Sequence, residues 1–190
     1  MTSGTTIWLR RAALMGVVGV VIGIPLTLLI SGGDDEGDSA VGTRAEPELG
    51  PAVRDRGLRA GYELPKGWRR ERSDGTLRLQ ARDGSVLVAV AAPAPAGRAT
   101  EVRDDLLGSI RSTYEDVDVN RGRGRQVGGL DAMGAVVSAR QPDGDPIRIL
   151  VAVASGDERT YVVQVFTAPS AKPNRLRQAQ ALLNSLRLRG

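Results

Sequence analysis

Neither cysteine nor histidine occurs in this chain of 190 residues. Their absence removes disulfides, the thiolate nucleophile, zinc sites of the Cys/His type and the commonest general base. It also removes the residue on which a lipid anchor at a mature N-terminus is built, so any membrane attachment must be made by polypeptide. Aromatic residues are only 3% of the chain, too few to offer stacking platforms for nucleic-acid bases. Lysine is nearly missing as well: Lys66 and Lys172 are the only two, and the other basic side chains are arginine. The sequence contains no phosphate loop, dinucleotide fingerprint, G-x-S-x-G elbow or S-x-x-K pair. No cofactor and no catalytic site is therefore expected from motifs.

What remains is 41% hydrophobic residues, mainly Val, Leu, Ile and Ala, enough for one cored domain with appendages. The formal charge is +4, and from residue 51 onward there are 23 basic against 16 acidic side chains. A distal part with that surplus is drawn to anionic surfaces or polymers.

The run AALMGVVGVVIGIPLTLLI over residues 12–30 carries no charge. At about 1.5 Å per residue it spans about 28 Å as a helix, the thickness of a bilayer core. Pro25 is tolerable there, because groups in a membrane helix re-satisfy the freed carbonyl. Arg10 and Arg11 precede the run, whereas Asp34, Asp35, Glu36 and Asp38 follow it. The positive-inside rule places residues 1–11 in the cytoplasm and everything after Ile30 outside. Ser31, Gly32 and Gly33 also suit a signal peptidase, but the apolar run exceeds the usual signal-peptide core and favours an uncleaved anchor. A twin-arginine export signal fits Arg10 and Arg11 but not the strong hydrophobicity or Leu9. All three readings put the following domain outside the cytoplasm, and the favoured anchor makes the chain a single-pass protein of the cell membrane.

Residues 31–56 are rich in Gly, Asp, Glu and Pro without apolar periodicity, so they read as a flexible linker. A coil of about 25 residues reaches about 27 Å. The acidic DDEGD within it is a solvated flank, since an unstructured cluster must be ordered before it can hold a cation. No metal site is expected.

From residue 57 to 190 the pattern becomes that of an α+β domain. TLRLQA alternates Leu77, Leu79 and Ala81 against Arg78, Gln80 and Arg82, the signature of a strand with one wet face. Asp83-Gly84 predicts a two-residue hairpin turn into the buried strand SVLVAVAA. A helix is predicted from about Thr100, with Val102, Leu106, Ile110 and Tyr114 on one face and Leu107 widening it. Further strands are predicted over residues 117–127, 130–140, 147–154 and 159–168. Leu176, Ala179, Leu183 and Leu186 then mark a closing amphipathic helix after Pro173. The expected fold is an antiparallel sheet of about six strands sandwiched by helices.

Within VNRGRGRQV, residues 119–127, Arg121, Arg123 and Arg125 alternate with glycines. In one regular strand they would point the same way as Val117, Val119 and Val127, and three unpaired arginines cannot be buried. The strand must bulge at Gly122 and Gly124, or its end must project past the helix layer. Three roles stay open: a charged edge that blocks strand-to-strand aggregation, contact with a phosphate-bearing polymer or lipid headgroup, or an RGG-type nucleic-acid segment. The last fits poorly, because those segments are disordered tails and this one is enclosed by strand residues. Nucleic acid is not an expected partner.

DVDVNRG, residues 116–122, mimics the start of a calcium loop, but Arg121 stands where glycine is required and Val127 where a bidentate glutamate belongs. The carboxylate pairs Asp104/Asp105 and Asp143/Asp145 fall at a helix start and in a turn, where capping explains them. Acid/base catalysis by carboxylates in a cell-envelope hydrolase is the alternative function they leave open.

YELPKGW (residues 62–68), VGGLDAMGAVVSA (127–139), RTYVVQVFTAP (159–169) and ALLNSLRL (181–188), in this order of elements, resemble the PsbP-like superfamily. The resemblance covers about residues 57–188, and its members include anchored extracytoplasmic proteins of actinobacteria. It implies an α/β/α sandwich and a binding or assembly role rather than catalysis. Its anchored lipoproteins use a cysteine, from which this chain departs. The expected partners are thus the membrane itself and a protein or an anionic envelope polymer.

Overall fold

Alternation of small apolar with polar residues gives most of this chain extended structure, and the turns between strands are marked by glycine. The structure, a computed structural model, describes residues 47–122 and 124–189. The predicted transmembrane helix over residues 12–30, the cytoplasmic residues 1–11 and most of the linker lie outside the described residues. Among the described residues no helix is long and apolar enough to cross a membrane.

The strands are β1 (Leu49–Asp55), β2 (Ala60–Pro65), β3 (Arg69–Ser73), β4 (Thr76–Gln80), β5 (Val86–Pro95), β6 (Glu115–Arg121), β7 (Arg125–Val127), β8 (Leu130–Arg140), β9 (Pro146–Ser155), β10 (Arg159–Thr167) and β11 (Arg187–Leu188). Two helices, α1 (Ala99–Thr113) and α2 (Pro173–Ser185), interrupt them. The large sheet runs β3-β4-β5-β10-β9-β8-β6, with β7 also on β8, and a separate small sheet runs β1-β2-β11. All pairings are antiparallel.

The α+β class and the helices on both faces match expectation, but the sheets hold more strands than the six predicted. β3 reads RRERS with almost every residue exposed, so it has no apolar alternation to betray it. β1 lies inside the segment predicted to be linker: Pro51 and charged residues disguise it, and its pairing with β2 makes it a strand. The Asp83-Gly84 hairpin also differs. Ala81 N–H bonds the Val86 carbonyl at 2.9 Å, so four residues rather than two make the turn. Asp83 stabilises it by accepting from the Ser85 N–H and hydroxyl.

Strand alternation sorts the large sheet's side chains onto two faces. One face packs Leu87, Ala89, Ile149, Val151 and Phe166 under α1, whose Val102, Leu106, Leu107, Ile110 and the following Tyr114 are buried as the helical period requires. The other face, with Leu77, Leu79, Val88, Val163 and Val165, is covered by α2 together with the small sheet. On α2 the buried stripe is Ala179 and Leu182, continued by Leu186 beyond its end. Leu176, predicted to join that stripe, is 45% exposed, because the stripe through Ala179, Leu182 and Leu186 faces about 90° round the helix from it.

Polar clamps hold these layers in register. Trp68 donates its indole N–H to Gln178 Oε1 at 3.0 Å, and Arg175 reaches both Gln178 and Asp83 at 2.8 Å. At the far end of α2, Ser185 Oγ accepts from the Glu63 N–H at 2.9 Å and donates to the Leu182 carbonyl, which ties the helix to β2. Gly128 has a φ of +64°, and a Cβ there would stand 2.5 Å from Leu188 Cγ. Only glycine fits, and its carbonyl accepts the Leu188 N–H at 2.9 Å, which seats β11.

Candidate functional site

The predicted arginine strand breaks at its glycines. β6 ends at Arg121 and β7 begins at Arg125; Arg123 lies outside the described residues. Arg121 is the cross-strand partner of Ala135, which belongs to the core under α1. Arg125 is the partner of Ala132, which belongs to the core on the opposite face. Directly paired residues share a face, so the interruption turns these two arginines to opposite sides of the sheet. Both are exposed, and the guanidinium stem of Arg125 lies over Gly134. The bulge alternative is the one realised, and Arg121 and Arg125 do not converge.

The carboxylate pairs that the sequence offers serve local structure. Asp104 pairs with its neighbour Arg103 at 2.9 Å. Asp143 accepts the Asp145 N–H at 3.2 Å inside a turn. Asp55 is the one buried carboxylate of note: its side chain is 1% exposed and meets Arg72 and Arg70, the latter at 3.4 Å, and it accepts the Leu58 N–H at 2.9 Å. Burial pushes its acidity constant up, but the Leu58 N–H, Arg72 and Arg70 together outweigh burial and hold it below the usual carboxylate range. Asp83 is likewise held low, burial being outweighed by Arg175 and Ser85. Glu158 is lowered by Arg59. Each of the three is fixed as an anion, the reverse of what a general acid at neutral pH needs. Among the described residues no group of three or more His, Cys, Asp or Glu side chains is placed to hold a metal ion.

Asp55 sits at a seam. It ends β1 in the small sheet, whereas Arg70 and Arg72 stand on β3 at the edge of the large one. Arg70 also lies 6.0 Å from the centroid of the Tyr62 ring, a cation–π contact at the edge of its range. Tyr62 is 1% exposed and its hydroxyl meets no protein partner; burial pushes its phenol up, with Arg70 opposing.

A gathering of arginines lies on the outside of the small sheet. Arg54 and Arg187 are both cross-strand partners of Gly61, one on each side of β2. The alternate residues Val53, Tyr62, Ala60 and Leu188 face the core, so the face bearing Arg54, Gly61 and Arg187 looks outward. Arg189 follows, its N–H on the Arg59 carbonyl at 3.2 Å, and Arg56 and Arg59 lie in the β1-β2 turn. Arg59 pairs with Glu158 and Arg187 bonds the carbonyls of Asn184 and Leu186. Arg54, Arg56 and Arg189 are exposed and make no ion pair among the described residues. Glu63 is the one carboxylate on the same strand face. Sequence inspection missed this platform because its arginines come from opposite ends of the domain and only strand register unites them.

Neither a family model nor a curated protein matches the chain. Solved structures do match its fold. The cyanobacterial PsbP protein CyanoP of Synechocystis superposes with a TM-score of 0.54 at 13% identity, over 78% of this chain and 97% of that one. LpqN of Mycobacterium tuberculosis, described as involved in cell envelope biogenesis, superposes at 0.51 and 13% identity over 74% and 90%. A protein of Bacteroides thetaiotaomicron superposes at 0.52 and 12% identity over 74% of this chain, which spans about half of that longer protein (49%). The chain thus shares the α+β sandwich fold of these structures, the fold that its resemblance to the PsbP-like superfamily implies.

Proposed function

We propose that this chain is a membrane-tethered, extracytoplasmic binding or assembly module without catalytic activity. The observation that carries this reading is the state of its carboxylates. Those with shifted acidity are each held as anions by arginine, and the pairs singled out in the sequence serve a salt bridge and a turn. The carboxylate-dependent envelope hydrolase requires two convergent acids, one of them held protonated. The PsbP-like fold supports the same conclusion through its likeness to CyanoP and to LpqN, the latter an envelope-biogenesis protein. The uncharged run over residues 12–30 supplies the tether.

The test is a crosslinking pull-down of the full chain from intact membranes, joined to protease treatment of whole cells whose envelope admits the protease. The domain is expected to be digested from outside and to carry a reproducible crosslinked partner. Protection in whole cells with digestion after lysis would overturn the extracytoplasmic placement, and hydrolysis of envelope material by the purified chain would overturn the binding role.

A further inference from the structure

We propose that the outer face of the small sheet, centred on Arg54, Gly61 and Arg187, docks onto the anionic headgroups of the membrane that carries the chain. The inference rests on the membrane-tethered reading and names the surface through which the domain meets its bilayer.

Charge and tether position both point to this occupant. Among the described residues Arg54, Arg56, Arg187 and Arg189 pair with no carboxylate, and Gly61 between two of them adds no side chain to a flat face. Arginine binds phosphate oxygens through a planar fork, and each basic residue at an anionic bilayer multiplies binding by about fivefold. The described fold begins at Leu49 on β1, the edge strand of this same sheet. Arg54 is therefore only about 17 Å along the strand from the point where the tether enters. Only 18 residues separate Ile30, the end of the uncharged run, from Leu49. A tether entering at β1 attaches nearer to the basic face than to the α1 face, which lies on the far side of the large sheet, or to the β6-β7 edge.

A test uses the full chain in nanodiscs, with Ala52, exposed on this face as the partner of Glu63, changed to cysteine. The chain has no other cysteine, so a fluorophore goes there alone, and lipids with nitroxide headgroups quench it at short range. Quenching is expected to be strong in discs with about 30 mol% phosphatidylglycerol and weak in pure phosphatidylcholine. It should fade in about 0.5 M salt, where screening shortens to about 4 Å. The triple variant Arg54→Ser, Arg56→Ser, Arg189→Ser should lower the docked-to-free ratio by about a hundredfold, and the matching lysine variant should restore most of it. Arg121→Ser with Arg125→Ser should change nothing. Equal quenching in neutral and anionic discs overturns the proposal. So does quenching that appears only after Asp34, Asp35, Glu36 and Asp38 are neutralised, because the chain's own acidic run would then be what covers the face. If the chain fails to enter the discs, the tether has failed instead; docking is then read by sedimentation with phosphatidylglycerol vesicles, where binding supports it and its absence overturns it.

Discussion

Asp55 and Arg72, 17 residues apart, join the small sheet to the edge of the large one through an ion pair whose carboxylate is almost wholly buried. Gly57 packs directly against that guanidinium, so a side chain there would push Arg72 aside.

Removing the carboxylate leaves the buried Leu58 N–H without its acceptor, while Arg70 and Arg72, 41% and 38% exposed, turn to solvent. Asp55→Ala is therefore expected to cost about 2 kcal/mol, and Asp55→Asn less, because the amide oxygen still accepts from Leu58. Urea unfolding measures both. The pH dependence follows from the sign of the shift. A carboxylate held below its ordinary value contributes stability that is complete above the ordinary range, near pH 4, and lost as pH falls through the lower folded-state value. The wild type should lose melting temperature steeply below about pH 4 and Asp55→Asn more gently.

Gly128 and Gly129 are adjacent, both at positive φ, yet should respond differently to alanine. At Gly129 nothing lies within 4 Å of the added Cβ, so Gly129→Ala should cost only the backbone strain, about 1 kcal/mol. At Gly128 the Cβ collides with Leu188 side chain and backbone, and the cost should rise to about 3 kcal/mol as β11 is displaced. Hydrogen exchange at the Leu188 amide should quicken in Gly128→Ala alone.

Gln164 lies in mid-sheet under α1, fully buried, with neither amide atom bonded to protein. An unpartnered buried amide is destabilising, so Gln164→Met should raise stability by about 1 kcal/mol. A fall in melting temperature would show that Gln164 holds an internal water, which a high-resolution crystal structure would reveal.

Because Arg121 and Arg125 stand on opposite faces, their substitutions by serine should act independently. Urea midpoints of the single and double variants should be additive; non-additivity would mean that the two side chains share a partner.

Much of the fold was legible in the sequence where one periodicity ruled. The stripe Val102, Leu106, Ile110 and Tyr114 named the buried face of α1, and the alternation of Leu77, Leu79 and Ala81 oriented β4. β3 was illegible because an edge strand over a polar seam needs no apolar side chains, and β11 because two residues carry no period. The arginines of VNRGRGRQV caught the eye by spacing, but Gly122 to Gly124 undo that spacing by breaking the strand. The platform's arginines have no common spacing, and a register between β1, β2 and β11 is a long-range fact that local pattern does not encode.

β2 draws its two rows of backbone partners from opposite ends of the fold: β1 just before it, and β11 with Ser185, a link that spans 122 residues. A chain emerging N-terminus first, from the ribosome or from an export channel, must keep Tyr62 and its neighbours uncovered until residue 188 is free. Completion of this domain is thus deferred to the end of its synthesis. A chaperone acting on it has to wait for those closing residues, and truncation before Arg187 would leave the whole seam open.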